Sequence, residues 1–408
     1  MTKRGVDPFR LLGAVTLRLA VIVIAMRFMP ANFVYDAHYY GLQAETLGLH
    51  HLPYRDFLWE YPPATVIALV GLRVLGGASD AGLYLFGAAM AGLELASLGI
   101  LRRAFAERAD AVTMWWTVIA LPLGLFAYFR LDYLAVLPAT LAFVSMARPR
   151  REGAGVAGAI GAGVAAKVWP AVLVVGLVAQ RRWREMARTA AGIAALVVVW
   201  AAFSPSGFVD FLHFRQGSGV QIESLTGGLA LRAGADPSFV SGSWVVGAGG
   251  WRWVEPLGTA IAGLAALTLA WRVGRGGAPG SGSVSVADLL PALLGAAVLF
   301  LMLGSRLLSA QFLVWPLPFV AVVAAAGGAR GRAVGGLWLA AAGLTVLVLA
   351  DYTDLVFHPA GPSLLVVARN LMLVVVATLL AVGASSTESS PESSPESSPQ
   401  AAATDSRA

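Results

Sequence analysis

The sequence of 408 residues is dominated by apolar stretches about as long as a lipid bilayer is thick. Only 13% of the residues are charged and 58% are hydrophobic, a balance that a water-soluble fold cannot bury. Cysteine is absent, which excludes disulfide bonds, cysteine-ligated zinc and thiol chemistry. We therefore predict an all-α polytopic membrane protein with about 12 transmembrane helices. The predicted spans are 9–28, 81–101, 111–128, 132–147, 153–166, 168–180, 187–203, 255–273, 286–304, 309–327, 333–350 and 363–383.

Clusters of basic residues between these spans indicate the orientation of the chain. Cytoplasmic loops are rich in Lys and Arg, and with 12 crossings every cluster and both termini fall on the cytoplasmic face of a bacterial plasma membrane. This solution requires the apolar segment 61–77 to form an interfacial or re-entrant helix instead of a crossing. The clusters are Lys3/Arg4, Arg102/Arg103/Arg108, Arg148/Arg150/Arg151, Arg181/Arg182/Arg184/Arg188, Arg272/Arg275 and Arg330/Arg332.

The two ends of the chain need separate interpretations. Residues 1–28 could form a signal peptide, but Arg18 inside the apolar run and Arg27 near its end favour an uncleaved membrane anchor. Residues 385–408 repeat Ser-Ser-Pro-Glu and contain no large apolar residue, which is typical of a disordered tail, here cytoplasmic. Residues 1–384 then form the membrane domain. The basic excess reflects topology and lipid contact, and no nucleic acid partner is expected.

Polar side chains with binding or catalytic chemistry concentrate on the opposite, extracytoplasmic side. Two long loops, about 29–80 and 204–254, lie there with several short turns, and together they contain all five histidines. Ionisable groups at the membrane are costly and are therefore functional candidates. Lys167 is prominent because it lies between two short apolar helices. The other candidates are Asp36, His38, Tyr39, Asp56, Glu60, Arg130, Asp132, His213, Arg215, Gln221, Glu223, Arg306 and Gln311.

Structural roles compete with functional ones for some charged residues. Arg130 and Asp132 could form a simple ion pair with each other. Glu94 lies deep in a predicted span, and Arg18 and Arg73 also lie in apolar segments. For these three residues we predict structural pairing, because a buried charge requires a partner.

Three runs in the first outer loop resemble a known family of membrane enzymes. These are Tyr35-Asp36-Ala37-His38-Tyr39-Tyr40, Leu52-Pro53-Tyr54-Arg55-Asp56-Phe57 and Glu60-Tyr61-Pro62-Pro63. They resemble the corresponding loop of GT-C type polyprenyl-phosphate-sugar glycosyltransferases. The similarity is closest to glycosyltransferase family 87, the actinobacterial mannosyl- and arabinosyltransferase-like group. Later matches follow in the expected order, at Arg130-Leu131-Asp132, Ala166-Lys167-Val168-Trp169-Pro170, His213-Phe214-Arg215, Gln221-Ile222-Glu223-Ser224 and Leu308-Ser309-Ala310-Gln311-Phe312.

The resemblance implies a GT-C-like helical bundle with its active site at the outer leaflet. It also implies a lipid-linked sugar donor and an acidic residue of the first loop as general base, which is Asp36 in this sequence. A phosphate leaving group requires cations and no acid catalyst. Lys167, Arg215, Arg306 and His213 lie on the same predicted face and are candidates for that contact.

We therefore predict a glycosyltransferase that moves mannose or arabinose from polyprenyl phosphate to a cell-envelope glycan or glycolipid in one inverting displacement. No metal and no cofactor are expected, because cationic side chains can hold the phosphate. The alternatives are a lipid-linked glycan ligase or polymerase with a diphosphate donor, and a polyprenyl-lipid transporter, for which internal repeats would be expected. The predicted sugar- and acceptor-binding residues are His38, Tyr39, Asp56, Glu60, Arg130, Asp132, Gln221, Glu223 and Gln311.

Overall fold

The computed structural model of the protein describes residues 8–48, 50–148, 154–214, 219–247, 254–276 and 285–385. The charged residues before Pro8 and the predicted tail beyond Ser385 lie outside this part, and their roles stay predictions. The α-helices are α1 (Pro8–Phe28), α2 (Tyr35–Thr46), α3 (Val66–Leu75), α4 (Asp80–Ala104), α5 (Ala109–Ala127), α6 (Tyr133–Ala147), α7 (Ala154–Ala166), α8 (Val174–Ala179), α9 (Trp183–Phe203), α10 (Pro205–His213), α11 (Leu225–Arg232), α12 (Val254–Gly276), α13 (Val286–Gly304), α14 (Leu317–Ala325), α15 (Gly328–Ala350), α16 (Tyr352–Phe357) and α17 (Pro362–Ser385).

The predicted spans all coincide with helices, which confirms the all-α polytopic membrane fold. Within the described ranges, eight helices are long and apolar enough to cross a membrane, namely α1, α4, α5, α9, α12, α13, α15 and α17. The other four predicted spans are short or interrupted. In two of them a 3-10 turn replaces the first helical turns, at Trp169–Leu173 before α8 and at Ala310–Val314 before α14. Pro170 and Pro316 explain the interruptions, because proline lacks the N–H that a continuous helix requires.

The segment 61–77 forms a 3-10 turn, Pro63–Thr65, followed by the ten-residue α3. Ten helical residues rise about 15 Å, which is half the thickness of the hydrocarbon core. Leu69 and Leu72 are buried, whereas Val74 is exposed on the opposite side of the helix. The short length and the one-sided burial favour the predicted interfacial or re-entrant helix.

A buried ion pair joins α1 to α4. Arg18 contacts both carboxylate oxygens of Glu94 at 2.9 Å, and the indole N–H of Trp116 on α5 also donates to this carboxylate. The predicted structural pairing is therefore confirmed for Arg18 and Glu94, whereas Arg73 donates to the backbone carbonyl of Glu45 instead. Because α1 contributes a charge to the interior, it is an integral part of the bundle.

The described part of the loop 204–254 contains regular secondary structure. It contains α10, α11 and an antiparallel sheet of β1 (Val220–Gln221), β2 (Ser238–Val240) and β3 (Ser243–Val246), in the order β1-β3-β2. The register pairs Val220 with Val246 and Ser238 with Val245. A small apolar core joins this unit to the adjacent ends of α15, α16 and α17, through Ile222, Val348, Leu355 and Val366 among others.

Helices α12 and α13 approach closely at two glycines. A Cβ atom on Gly258 would lie only 2.0 Å from the carbonyl oxygen of Gly304, so no larger residue fits at this crossing. Next to this crossing, an apolar cavity lies between the two helices and the 3-10 turn Trp169–Leu173. The glycine contact thus defines one end of that cavity.

Candidate active site

Asp36 lies in the first turn of α2, a few residues after α1 ends. Its carboxylate oxygen Oδ2 is 2.9 Å from Nε of Arg130, which belongs to the tight turn between α5 and α6. The Nε–H does not point at that oxygen, so the contact is an ion pair without a hydrogen bond. The Arg130 side chain is buried, whereas 25% of the Asp36 side chain is exposed. A substrate can therefore reach the carboxylate.

A second ion pair joins Lys167 to Asp132. The ammonium Nζ lies 2.8 Å from Oδ1 of Asp132, and the indole N–H of Trp315 donates to the same oxygen at 2.5 Å. Arg130 and Asp132 thus use different ionic partners, and the alternative of a simple pair between these two residues is wrong. Each of the two residues instead connects its turn to a distant segment.

Aromatic rings surround the Lys167 ammonium. Its Nζ lies 5.7 Å from the ring centre of Tyr61, 5.3 Å from that of Phe312 and 5.5 Å from that of Trp315. The rings of Phe312 and Trp315 stack at 3.9 Å, and Trp169 stacks on Trp315 at 5.4 Å. Lys167 directly follows α7 and precedes the helix break at Pro170. The end of the helix therefore places its side chain among these rings, which we call the aromatic cage.

The two ion pairs are neighbours in space. The hydroxyl of Tyr61, whose ring faces Lys167, lies 2.8 Å from the hydroxyl of Tyr40. Burial raises the pKa of Tyr40, and the nearby Tyr61 and Asp36 raise it further. Tyr40 and Tyr61 therefore connect the surroundings of Asp36 to those of Lys167.

The first strand of the second loop contributes Gln221, and the turn after it contributes Glu223. The side-chain amide of Gln221 donates to Ser309 at 2.8 Å and to Glu223 at 3.3 Å. Its backbone N–H donates to the carbonyl oxygen of Arg306, another buried residue, at 3.0 Å. Burial raises the pKa of Glu223 to about 7, even though Arg369 and Arg130 counteract the shift. Glu223 is thus a carboxyl group that exchanges its proton near neutral pH.

Arg369 and Asn370 on α17 hold the turn after this strand, and neither was among the predicted site residues. The guanidinium group of Arg369 donates to the backbone carbonyl of Glu223, and the amide of Asn370 donates to the same oxygen at 3.1 Å. Both side chains are fully buried. A signal existed, because Arg369 is a charge inside a predicted apolar span, which marks a functional candidate by default.

Tyr352, at the start of α16, lies near the same groups. Burial raises its pKa first, the negative charges of Glu223 and Asp36 raise it further, and Arg130 and Arg369 lower it. Charged groups shift the pKa of another residue only when they lie near it. Asp36, Arg130, Glu223, Arg369 and Tyr352 therefore converge, and we call this set the acidic chamber.

Other predicted residues lie outside these contacts. His213 is exposed and its Nδ1 lies 2.9 Å from the carbonyl oxygen of Val209, one helical turn earlier. His38 is exposed on α2, and Asp56 is exposed in a turn where its carboxylate accepts from the Leu52 N–H at 2.7 Å. Their proposed roles in phosphate or sugar binding stay predictions. Tyr39 stacks on Trp59, Glu60 and Gln311 are half-buried, and Arg215 lies outside the described residues.

The described ranges contain no group of three His, Asp or Glu side chains able to hold a metal ion. The expectation that no metal takes part stays a prediction.

The apolar cavity has a volume of about 420 Å³ and begins beside the aromatic cage. Phe312 and Trp315 belong both to its wall and to the rings around Lys167. An apolar cavity whose wall adjoins an ammonium group through two shared rings suits an amphiphilic ligand with an anionic head. The rest of the lining comes from Val168, Trp169, Ala171, Val172, Thr259, Ala262, Gly263, Ala297, Leu301, Met302, Ser305 and Leu307.

A multi-helix membrane bundle with a carboxylate and paired cations beside an apolar cavity is suited to chemistry on lipid-linked substrates. The profile of glycosyltransferase family 87 matches residues 59–295, more than half of the chain, and the chain belongs to this family. It is therefore a membrane glycosyltransferase, as the resemblance predicted. No curated protein matches the sequence. Among solved structures it is similar to ArnT from Cupriavidus metallidurans bound to undecaprenyl phosphate, with 16% identity over 92% of this chain and 77% of that chain and a TM-score of 0.46.

Proposed function

We propose that the enzyme transfers a sugar from a polyprenyl-phosphate donor to a cell-envelope glycan or glycolipid at the outer face of the plasma membrane. The observation that carries the proposal is the apolar cavity whose wall shares Phe312 and Trp315 with the aromatic cage around the Lys167 ammonium. A polyprenyl chain fits the apolar walls, and the phosphate at its end fits a cation that reaches it as a point charge. Cavities of this size are typical of small-molecule sites.

Asp36 is the proposed general base. It takes the proton of the acceptor hydroxyl as that oxygen attacks the anomeric carbon, and the bond from this carbon to the phosphate oxygen breaks in the same step. The leaving phosphate carries the bonding electron pair and is stabilised by Lys167, with Arg306 on the adjacent segment as a second cation. One displacement inverts the anomeric centre.

Arg130 positions the base. Its guanidinium is buried, contacts the Asp36 carboxylate and donates through Nη2 to the backbone carbonyl of Asn32 at 3.3 Å. The carboxylate is thereby fixed between the end of α1 and the turn before α6. Mannose and arabinose are the proposed sugars, on the strength of the resemblance to the mannosyl- and arabinosyltransferase-like group.

The proposal is tested with purified protein in lipid nanodiscs. The donor is polyprenyl phosphate that carries labelled mannose or arabinose, and the acceptor probe is an octyl mannoside or octyl arabinofuranoside. The expected result is release of polyprenyl phosphate together with a labelled product of inverted anomeric configuration. Turnover of a sugar diphosphate donor but not of the monophosphate would instead indicate a ligase or polymerase. Movement of intact donor across the bilayer without release would indicate a transporter.

A further inference from the structure

Apart from Nε of Arg130, which forms the ion pair with Asp36, three buried polar atoms of the acidic chamber have no hydrogen-bond partner among the described residues. They are Nη1 of Arg130, Oε1 of Glu223 and Nη1 of Arg369. Buried polar atoms are nearly always paired in folded proteins, because leaving one unpaired is costly. Three such atoms in one chamber point to a missing polar ligand.

Each of the three side chains is held by its remaining atoms. Arg130 contacts Asp36 and donates through Nη2 to Asn32. Arg369 donates through Nη2 to the Glu223 carbonyl and through both Nε and Nη2 to Oδ1 of Asn370. Oε2 of Glu223 accepts from Gln221. The protein therefore fixes these groups and leaves one atom of each available.

Arg130, Glu223 and Arg369 lie near one another. Arg369 reaches the backbone of Glu223 directly, and both guanidinium groups act electrostatically on the Glu223 carboxyl. Asp36 acts on the same carboxyl and contacts Arg130. The unpaired atoms thus belong to neighbouring residues, one of which contacts the proposed base.

The set of unpaired atoms consists of two donors and one carboxyl oxygen. A phosphate group could use the donors, but it would face the carboxyl groups of Glu223 and Asp36 at close range. A sugar hydroxyl both donates and accepts, so two neighbouring hydroxyls satisfy all three atoms without added charge.

We propose that Arg369, Glu223 and Arg130 bind two adjacent hydroxyl groups of a sugar ring beside Asp36. This inference rests on the proposed function and deepens it, because it names the residues that bind the hydroxyl groups of the sugar. Arg369 lies outside the part of the chain that the family profile matches, so family membership does not supply this role. The ring could belong to the transferred sugar or to the acceptor.

Substrates that lack single hydroxyls test the proposal. Each donor sugar and each octyl glycoside acceptor is compared with its monodeoxy derivatives. Loss of a hydroxyl that binds a buried charged group should lower kcat/KM of the wild type by about tenfold to a hundredfold. We call the kcat/KM for the full substrate divided by that for its deoxy derivative the deoxy ratio. This ratio should fall to about twofold or less in Glu223→Gln and in Arg369→Lys, which keeps the charge but loses the planar fork. Sensitivity to donor derivatives assigns the site to the transferred sugar, and sensitivity to acceptor derivatives assigns it to the acceptor.

Arg73→Lys is the matched control, because Arg73 also donates to a backbone carbonyl but lies outside the chamber. It should keep the wild-type ratio. Loss of the ratio in either chamber variant supports the inference, whereas a wild-type ratio in both, with turnover intact, overturns it. A wild type without turnover of any polyprenyl-phosphate sugar overturns the proposed function instead. In that case saturation-transfer NMR with methyl mannoside, methyl arabinofuranoside and their deoxy derivatives decides the hydroxyl site, since equal binding by wild type and Arg369→Lys would overturn it.

Discussion

The Asp36 carboxylate and the Arg130 guanidinium meet at 2.9 Å, one from the first loop and the other from the turn between α5 and α6. The arginine is buried and the carboxylate is partly exposed, so the pair holds a fixed carboxylate with an accessible side, as the proposed base requires. Asp36→Asn should therefore lower the release of polyprenyl phosphate by about 10²–10⁴-fold, the usual contribution of a general base. Release is measured with labelled donor.

Asp210→Asn is the control for this prediction, because Asp210 is an exposed residue of α10 in the second loop. It should retain wild-type release. Wild-type turnover by Asp36→Asn would show that another group accepts the proton.

Replacement of Lys167 by Met should reduce transfer by about 10²–10³-fold, the usual cost of removing one preorganised group that stabilises developing negative charge. The change also leaves the buried Asp132 carboxylate without its cation, so stability should fall too. The double variant Lys167→Met/Asp132→Asn removes the uncompensated charge. It should recover thermal stability without recovering transfer, and joint recovery would contradict the role of Lys167 in phosphate binding.

Filling the apolar cavity should block the donor and spare the fold. A Cβ atom on Gly263 meets no other heavy atom within 4 Å, so Gly263→Phe can enter the cavity without displacing the backbone. The expected result is a rise of about tenfold or more in KM for the polyprenyl donor, because each excluded CH₂ group loses about 0.8 kcal/mol of apolar burial. Gly192→Phe on α9 is the matched control, since its Cβ is equally unobstructed and it does not line the cavity. Equal KM values for the two variants would place the lipid elsewhere.

The raised pKa of Glu223 predicts a pH-dependent stability. The usual value for glutamate is 4.5, whereas burial raises the pKa of Glu223 to about 7. Between these values the folded protein holds a proton that the unfolded chain has released. The free energy of unfolding should therefore decrease as the pH rises through this window, by at most about 1.4 kcal/mol per pH unit from this residue.

Thermal unfolding of wild type and Glu223→Gln across this pH window measures the effect. The variant lacks the titrating group, so its stability should decline less steeply than that of the wild type. Glu107→Gln, at an exposed turn before α5, should follow the wild type. Parallel curves for wild type and Glu223→Gln would rule out the elevated pKa.

The buried pair of Arg18 and Glu94 predicts a purely structural phenotype. Arg18→Met leaves a carboxylate uncompensated in the interior and should destabilise the protein by about 3–5 kcal/mol, measured by thermal or denaturant unfolding. Combining it with Glu94→Gln should restore most of that loss. No such recovery would mean that Arg18 stabilises the bundle through packing rather than charge.

The positions of the membrane spans follow from the sequence, because an apolar run long enough to cross a bilayer is stable in few environments other than a membrane. The small sheet of the second loop does not follow, since its strands are only two to four residues long and show no clear alternation. Its existence depends on apolar contacts with α15, α16 and α17, which are distant in the sequence.

The candidate site was only partly predictable for a similar reason. Asp36 could be chosen as a candidate from the family resemblance, and Lys167 from its position between two short apolar helices. Their ionic partners, Arg130 and Asp132, stand two residues apart in one turn, and the sequence cannot show which partner each takes. Arg369 was not predicted, because the sequence shows only a single charge in a long apolar span. Its contact with Glu223, 146 residues away, becomes visible only in the structure.

The bond from Arg369 to the Glu223 carbonyl spans 146 residues and ends in the last helix of the described chain. At ribosomal rates of about 5–20 residues per second, the two partners emerge roughly 7–30 seconds apart. During that interval the Glu223 carbonyl lacks both α17 side chains that donate to it, so the proposed sugar-binding residues are not yet assembled. Under the proposed function, the enzyme becomes competent only when α17 has been inserted. A nascent chain that carries both Asp36 and Lys167 should not consume lipid-linked sugar before its synthesis is complete.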